Sequence, residues 1–376
     1  TDNAAGDTGS VSAATLTITG AAVNPIDPNV DFSGDGKTDY SMVRDGTPGL
    51  AGNEFYRLES VREKLRYLAD NPPASSEDLV PGTNLIWFVN NSATPAIDTI
   101  VSFGQPTTDF IVPSDYDGDG RADIAIWRPG APTVAAFYIL RSQTSTVQME
   151  LFGQTGDDPA ITGDYDGDGK SDVAVQRCPP VGSPGQCFFF FRGSNANPGG
   201  NVTYVPWGFG QQFDLFANPG DFDGDGKFDF CLQRTAPSGS PAGQFVLLRS
   251  LDGGIEYINW GLNNDLIVPG DYDGDGKYDF MVSRTETISG VAGRSYYLLE
   301  RDGGGTGAQP IRWGIAGDIR APGDYDGDGK TDVAIWRPNV AASMSQYWVR
   351  RSSDGGVQTF GYGNTGDGAV PGWSVH

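Results

Sequence analysis

Six short acidic segments of the chain have the residue types and the spacing of a metal-binding loop. They follow the pattern Asp-x-Asp-Gly-Asp-Gly-x-x-Asp and begin at Asp31, Asp115, Asp164, Asp221, Asp271 and Asp324. A hard cation such as Ca²⁺ takes ~6–8 oxygen ligands at ~2.3–2.6 Å. Carboxylates at positions 1, 3, 5 and 9 and the backbone carbonyl at position 7 supply such oxygens, and glycine at positions 4 and 6 permits the tight curl that they require.

Each loop is predicted to contribute four side chains and the carbonyl oxygen of position 7 to one ion. These residues are Asp31, Ser33, Asp35, Lys37, Asp39, Asp115, Asp117, Asp119, Arg121, Asp123, Asp164, Asp166, Asp168, Lys170, Asp172, Asp221, Asp223, Asp225, Lys227, Asp229, Asp271, Asp273, Asp275, Lys277, Asp279, Asp324, Asp326, Asp328, Lys330 and Asp332. About six Ca²⁺ ions are therefore expected. Ser33 replaces the aspartate of position 3, so the first site is expected to be the weakest.

Two alternatives to calcium binding are less consistent with this pattern. An ordinary Asx/Gly turn explains one isolated copy, but six copies in register disfavour it. Magnesium demands near-ideal octahedral geometry and retains its water. The loops also lack the Glu at position 12 and the flanking helices of an EF-hand, so they are predicted to pin strand-to-strand turns rather than to sense calcium.

The net charge of the chain originates largely in these loops. The formal charge is −23, and the loops hold 23 of the 48 acidic residues. One divalent ion per loop would reduce the charge to about −11. An acidic chain of this kind is not expected to bind nucleic acid or anionic membranes.

The acidic loops mark an internal repeat of about 50 residues. Their starting positions are separated by 84, 49, 57, 50 and 53 residues. In each repeat a short apolar run precedes the loop, a β-rich run after it ends in Arg, and two further runs lead to an aromatic-Gly pair. Four antiparallel strands at this period describe a propeller blade. The sequence therefore predicts an all-β fold, a β-propeller with a calcium loop in each blade.

The two ends of the chain predict how the ring closes. Residues 15–20 (TLTITG) match the last strand of a blade, and AVPGW, from Ala369, matches a first strand. Six four-stranded blades closed by terminal strands are predicted, with seven blades as the alternative. Residues 1–14 are interpreted as a flexible tail and residues 15–376 as a single propeller domain.

The first interval contains an insertion at residues 45–83, within the first blade. Phe55, Leu58, Val61, Leu65 and Leu68 recur there near helical period. This spacing predicts one amphipathic helix.

The acidic loops and the aromatic-Gly pairs resemble the FG-GAP and VCBS families of calcium-binding repeats, which include the propeller of integrin α subunits. The resemblance extends over roughly residues 15–373; Trp-Gly replaces Phe-Gly at 260–261 and 313–314. It implies that calcium lies in the hairpin between the first two strands of a blade. We call this the bottom face. The resemblance implies that ligands bind on the opposite, top face, where the loops after each repeat arginine lie.

Two charged residues recur in every repeat. An arginine closes the second strand run, at Arg44, Arg128, Arg177, Arg234, Arg284 and Arg337. An aspartate follows the aromatic residue, at Asp109, Asp158, Asp214, Asp265, Asp318 and Asp367. Because they recur in each repeat, we predict one ion pair per blade joining neighbouring blades, with a ring of ligand-binding charges as the alternative.

Tryptophan and cysteine allow further predictions. Packing between blades is predicted for most tryptophans, and a sugar-stacking platform is the alternative; they are Trp87, Trp127, Trp207, Trp260, Trp313, Trp336 and Trp348. Cys178 and Cys187 end one strand and begin the next, so a disulfide is predicted, against two free thiols. Cys231 is predicted to be a buried, inert thiol.

Catalytic constellations are scarce, since the only histidine is His376. We expect a non-enzymatic extracellular binding or adhesion module, stabilised by calcium, for a protein or a glycan. A structural subunit of a larger surface or membrane-associated complex, docked through residues 45–83, is the first alternative. A polysaccharide-active enzyme on a propeller scaffold is the second. The chain opens at Thr1 rather than Met and has no apolar run near ~18 residues, which predicts a secreted, cell-surface or periplasmic protein without a membrane span.

Overall fold

The computed structural model describes most of the repeat region. It covers residues 30–45, 84–90, 98–106, 108–179, 183–194, 201–209, 214–217, 219–235, 242–263, 265–307, 309–341, 344–364 and 366–370. The predicted tail at 1–14 and the predicted strand at 15–20 lie outside these ranges. The helix predicted within the insertion 45–83 also lies outside them, because only Asp45 of that segment is described.

The described residues form β-strands and contain no helix, and so no helix that could cross a membrane. In chain order the strands are β1 (Tyr40–Asp45), β2 (Leu85–Asn90), β3 (Asp98–Ser102), β4 (Phe110–Ile111), β5 (Ile124–Arg128), β6 (Ala136–Leu140), β7 (Val147–Leu151), β8 (Val173–Arg177), β9 (Gln186–Arg192), β10 (Thr203–Phe209), β11 (Asp214–Ala217), β12 (Phe230–Thr235), β13 (Ala242–Leu248), β14 (Ile255–Leu262), β15 (Leu266–Ile267), β16 (Phe280–Ile288), β17 (Val291–Leu299), β18 (Ile311–Arg312), β19 (Ile319–Arg320), β20 (Val333–Ala341), β21 (Met344–Arg350), β22 (Val357–Gly361) and β23 (Gly368–Ala369).

These strands form six antiparallel sheets, which are the six blades. Blades 2, 4, 5 and 6 contain β4–β7, β11–β14, β15–β18 and β19–β22. In blade 3 the strands β8–β10 are joined by a single bridge between Asp158 and Gln176, in the place of the innermost strand. The predicted all-β propeller with six four-stranded blades is confirmed.

The ring closes within blade 1, whose strand order is β23-β1-β2-β3. The C-terminal strand pairs with the start of the repeat region, with Met42 opposite Ala369 and Val43 opposite Gly368. The terminal strand therefore completes an existing blade, and the seven-blade alternative is wrong.

Burial explains why each blade has this order. The second strand is buried on both faces, as in β5, where only Arg128 is partly exposed. The outermost strand has an exposed face: in β7 the side chains of Val147, Met149 and Leu151 are 57%, 54% and 48% exposed. Continuous apolar runs therefore lie in the middle of the blades, and alternating runs lie at the rim, as the two periodicities require.

Three tryptophans, Trp87, Trp127 and Trp336, are completely buried. Each indole N–H donates to the carbonyl of the aromatic residue that precedes a repeat glycine: Phe103 at 2.8 Å, Phe152 at 2.9 Å and Tyr362 at 3.1 Å, respectively. Trp127 lies in an apolar cluster with residues of blades 1 and 3. The predicted role in packing is confirmed for these tryptophans, and Trp207, Trp260, Trp313 and Trp348 pack against other clusters while partly exposed.

Candidate metal centres

Each acidic loop curls around its first aspartate, as the second loop illustrates. Gly118 and Gly120 have φ angles of 78° and 79°, which favour glycine. Their amides donate to Asp115, at 2.6 Å to Oδ1 and 2.8 Å to Oδ2. The glycines at positions 4 and 6 therefore place the position-1 carboxylate at the centre of the loop, and the same two bonds recur in the other five loops.

The position-9 aspartate lies at the base of each loop, where the second strand begins. Asp123 is fully buried, and its Oδ2 and Oδ1 accept the amides of Tyr116 at 2.9 Å and Ser142 at 2.6 Å. Burial raises the pKa of Asp123 to about 6. Burial likewise raises the pKa of Asp172, Asp229 and Asp279 to about 7 and that of Asp332 to about 6.

Five loops bring three carboxylates together, with one oxygen from each within 4.8 Å of the others. Oxygens that share one Ca²⁺ at ~2.3–2.6 Å lie at most about 5 Å apart, so these groups have the required size. The groups are Asp115–Asp117–Asp123, Asp164–Asp166–Asp172, Asp221–Asp223–Asp225, Asp271–Asp273–Asp279 and Asp324–Asp326–Asp332. Four of them combine positions 1, 3 and 9, and the fourth loop combines positions 1, 3 and 5.

Unsatisfied oxygens indicate that these loops fit a cation. Within the described part of the chain, no hydrogen-bond donor contacts Oδ1 of Asp117 or of Asp326, although both atoms are buried. A buried carboxylate oxygen without a donor is costly, and a cation removes that cost. Lys and Arg at position 7 leave the carbonyl as the only oxygen that this position offers.

The position-5 aspartate is held by other partners in several loops. Oδ1 of Asp119 accepts the Arg121 amide at 3.0 Å and the Ser142 hydroxyl at 2.9 Å. Asp168, Asp275 and Asp328 also lie outside the close groups. In these four loops the position-5 aspartate therefore remains a predicted ligand, but it lies outside the group of close carboxylates that positions 1, 3 and 9 form.

The first loop differs from the other five. Ser33 donates its hydroxyl to Asp31 at 3.1 Å and its amide to Asp39 at 2.9 Å. Among the described residues, this loop does not assemble a group of three carboxylates within 4.8 Å. A weaker first site remains a prediction that agrees with this geometry.

A serine clamp, which the sequence analysis missed, supports four of the loops from the turn after the third strand. Its members are Ser142, Ser194, Ser250 and Ser352. Each amide donates to the position-9 aspartate at 2.6–2.7 Å, and each hydroxyl donates to the position-5 aspartate at 2.8–3.0 Å. In blade 5 the amide of Arg301 takes the first role, at 2.8 Å from Asp279. The sequence does contain a signal for this clamp: a serine recurs directly after the third strand of these four blades, in LRS, RGS, LRS and RRS.

The repeat arginines form the predicted ion pairs at the opposite end of the blades. Arg128 binds both oxygens of Asp109, at 2.8 and 2.7 Å, and Asp109 lies in the connection from blade 1 to blade 2. Equivalent pairs are Arg44–Asp367, Arg284–Asp265 and Arg337–Asp318. Because these aspartates are buried, the four arginines stabilise the fold. The alternative, in which the arginines form a ring of ligand-binding charges, is not supported for these four.

Blades 3 and 4 depart from the predicted pairs. Arg177 binds Asp157, at 2.7 Å to each oxygen, rather than the predicted Asp158. The turn closes at the earlier residue because Asp157 Oδ2 accepts the Gln154 amide at 2.8 Å. Arg234 instead contacts Gln244 Oε1 at 3.2 Å, and the side chain of Asp214 lies outside the described residues.

Each repeat arginine also stacks on an aromatic ring of its own blade, which belongs to the next strand of the sheet except for Arg234, whose ring lies on β14. The distance from the guanidinium carbon to the ring centre is 4.4–5.4 Å, and the rings are those of Phe88, Tyr138, Phe190, Tyr257, Tyr297 and Trp348. Such cation–π contacts add to the ion pairs and fix the plane of the guanidinium group.

The predicted disulfide and the predicted burial of Cys231 are confirmed. Cys178 and Cys187 form a disulfide between β8 and β9. Cys231 is a free, completely buried thiol, and burial raises its pKa well above the usual range.

A cleft of about 460 Å³ lies at the seam between blades 6 and 1, beside the sixth acidic loop. Its lining includes Lys37, Asp326, Asp328, Arg351 and Phe360. Charges of both signs and an aromatic ring make it a candidate ligand pocket on the bottom face, opposite to the face that the family resemblance implies.

Fold and loops together define a six-bladed propeller of acidic-loop repeats. Residues 115–175 match the family model described as FG-GAP-like repeat. With the six-bladed fold, this match confirms the resemblance to FG-GAP-type repeats.

Two solved structures are distantly similar to this chain. No curated protein sequence matches the chain significantly. The structure of TolB from Acinetobacter baumannii is similar at 11% identity with a TM-score of 0.46, over 78% of this chain and 63% of TolB. A protein from Lactobacillus plantarum has 10% identity and a TM-score of 0.33, over 88% of this chain and 99% of its own. This chain thus spans less than two thirds of the length of TolB.

Proposed function

We propose that this chain is an exported, calcium-stabilised propeller that binds a protein or a glycan and catalyses no reaction. The five aspartate groups carry this proposal, because they place three carboxylate oxygens within 4.8 Å of one another at the same point of five blades. Hard oxygen ligands on a flexible glycine-containing loop favour Ca²⁺ over Mg²⁺. The first loop, with Asp31, Asp35 and Asp39, takes a sixth and weaker ion.

Two observations support a binding role outside the cell. The disulfide between Cys178 and Cys187 is typical of oxidising compartments. The rim arginines, which a reaction at the top face could otherwise use, are committed to buried aspartates and aromatic rings. Ligand recognition then falls to the loops that differ between blades.

Native mass spectrometry of protein equilibrated with Ca²⁺ tests the metal assignment. We expect five tightly bound ions and a sixth that is lost first when free Ca²⁺ is lowered. Mg²⁺ at the same concentration should leave most sites empty. Two or fewer bound calcium ions would overturn the assignment.

A glycan array and a pull-down from extracellular extracts, each with Ca²⁺ and with chelator, test the binding role. We expect calcium-dependent capture of one ligand class and no turnover of polysaccharides in a parallel hydrolysis and elimination assay. Turnover that survives purification to homogeneity would favour the enzyme instead.

A structural subunit of a larger surface assembly is the second candidate. The exposed face of β7, with Val147, Met149 and Leu151, favours it, because apolar stripes of this kind often contact protein partners. Deleting residues 45–83 should abolish co-purification of a stable partner if that insertion docks the chain, whereas an unchanged partner set would count against docking through it.

A further inference from the structure

A closed ring of backbone hydrogen bonds links the six acidic loops to one another. In each link, the amide at position 8 of one loop donates to the carbonyl at position 1 of the preceding loop. The bonds are Thr38 to Asp324 at 2.7 Å, Ala122 to Asp31 at 2.7 Å, Ser171 to Asp115 at 2.7 Å, Phe228 to Asp164 at 2.7 Å, Tyr278 to Asp221 at 2.8 Å and Thr331 to Asp271 at 2.6 Å. The first bond joins loop 1 to loop 6, so the ring has no free end.

A layer of side chains follows the same path. The stem of the position-7 residue lies over the position-4 glycine of the preceding loop. A Cβ at Gly118 would lie 2.9 Å from the Lys170 stem, and one at Gly327 would lie 2.8 Å from the Lys37 stem. The close fit recurs at Gly34, Gly167, Gly224 and Gly274. Each loop is thus covered by its neighbour, so one loop cannot open without disturbing the next.

One peptide unit participates in both the ion site and the link. The peptide between positions 7 and 8 carries the carbonyl that is predicted to bind the ion of its own loop. The same planar unit carries the amide that donates to the preceding loop, and its C=O and N–H point in opposite directions. A cation on the carbonyl polarises the unit and strengthens the amide as a donor.

The acceptor of that bond belongs to another predicted ligand. In the link from Ser171, the accepting carbonyl is that of Asp115, whose carboxylate is position 1 of the preceding loop. Fixing this carbonyl restrains the residue that must present its side chain to the ion. Occupation of one loop therefore pre-orders the loop before it, which lowers the ordering cost of the next ion.

We propose that this ring makes calcium binding positively cooperative between neighbouring loops. The inference rests on the proposed calcium binding and adds to it. The six sites bind calcium as one cyclic, coupled array and not independently of one another. Repulsion between neighbouring ions would act in the opposite sense, so the sign of the coupling is a measurable property.

Double substitutions at position 3 test the coupling, because the same loops can be altered either in adjacent or in opposite pairs. Removing two adjacent sites from a ring of six breaks three links, whereas removing two opposite sites breaks four. Lysine at position 3 removes a site, because its ammonium group repels the cation, whereas Asn would still offer an oxygen. The adjacent variants are Asp117→Lys with Asp166→Lys, and Asp273→Lys with Asp326→Lys. The opposite variants are Asp117→Lys with Asp273→Lys, and Asp166→Lys with Asp326→Lys. Each of the four altered loops is lost once in each set, so differences in intrinsic affinity cancel.

Calcium titrations of the four variants by calorimetry give the result. The adjacent set keeps three links and the opposite set keeps two. With cooperative links, the product of the four stepwise binding constants should therefore be about fivefold lower in the opposite set, the lower end of usual strengths for one coupling. The unaltered protein should give a Hill coefficient above one. Equal products in both sets, or a larger product in the opposite set, would overturn the proposal. Absence of calcium binding in the unaltered protein would instead refute the proposed function.

Hydrogen exchange resolves the same coupling in a folded single variant. In calcium-saturated Asp166→Lys, loop 3 loses its ion while loop 4 keeps its own. Coupling predicts faster exchange of the Phe228 amide, which donates to Asp164 of the altered loop. Unchanged exchange at Phe228, with faster exchange only inside loop 3, contradicts coupling. The amide of Thr331, which belongs to the link between loops 5 and 6, is the internal control for global unfolding.

Discussion

Arg337 holds both carboxylate oxygens of Asp318, with Nε 2.7 Å from Oδ1 and Nη2 2.7 Å from Oδ2. Asp318 is almost fully buried, and its Oδ2 also accepts the Ile315 amide at 2.7 Å. Asp318 lies in the connection between blades 5 and 6, and Arg337 lies within the second strand of blade 6. The pair therefore fixes the connection between blades to the blade that follows it.

Replacing Arg337 tests the importance of this pair for stability. In Arg337→Gln the carboxylate of Asp318 stays buried without its cation, so we expect a loss of about 3 kcal/mol in the free energy of unfolding. Denaturant unfolding in saturating Ca²⁺ measures it. The matched control is Arg351→Gln, which removes the exposed pair with Asp354 and should leave stability within error of the parent. Equal losses in the two variants would contradict the structural role of the rim pair.

Removal of calcium is expected to destabilise the whole propeller. At a free concentration of a hundred times the dissociation constant, each ion adds about 2.7 kcal/mol of stability. Loss of five ions should therefore lower the melting temperature by more than about 10 °C. Differential scanning fluorimetry with excess chelator at neutral pH measures this shift, and Ca²⁺ in molar excess over the chelator should reverse it. A melting temperature indifferent to prolonged chelation would show that the loops are ordinary turns.

Ser33→Asp is expected to strengthen the first site. The substitution supplies the position-3 carboxylate that the other five loops possess, and an added charged oxygen raises calcium affinity. Ser33→Asn is the control, because it adds an oxygen of similar reach without charge. Competition with a fluorescent chelator should show tighter binding of the weakest ion in Ser33→Asp and a smaller gain in Ser33→Asn. An unchanged weakest constant in Ser33→Asp would place the weakness of the site elsewhere.

The position-9 aspartates predict an unusual pH dependence for the metal-free protein. In loops 2 to 6, the pKa of this aspartate is about 6 to 7 in the folded chain, against about 4 when unfolded. A raised folded pKa means that the folded state holds more protons, so its contribution to stability is present below pH 4 and is lost as the pH rises through 6 to 7. Protein stripped of metal on a chelating resin should therefore melt at a higher temperature at pH 5 than at pH 8.

Calcium-saturated protein serves as the control for this pH dependence. Because the ion competes with protons for the same carboxylates, the advantage of pH 5 should vanish or reverse. A metal-free protein that melts at a lower temperature at pH 5 than at pH 8 would contradict the effect of burial on these aspartates.

The sequence by itself determined the repeat and the position of each acidic loop, and it favoured six blades over seven. Asp115, Gly118, Gly120 and Asp123 lie within nine residues, and a curl of that length is fixed by local backbone preferences. Apolar runs of fixed spacing likewise specify strands, because side-chain alternation depends only on neighbours along the chain. The disulfide was predictable because Cys178 and Cys187 flank the connection between two paired strands. The rim arginines were predictable because they recur at one position of every repeat.

Only the tertiary structure decided which distant groups meet. Ser142 clamps Asp123 from 19 residues away, and Thr38 meets Asp324 across the seam of the ring. Both contacts depend on the register of the strands and on the rotation between blades, which no local pattern encodes. Two adjacent aspartates at 157 and 158 were equivalent in sequence, and the length of one turn selected Asp157 for Arg177. The loops could be recognised one at a time, but their union into a ring is a property of the closed fold.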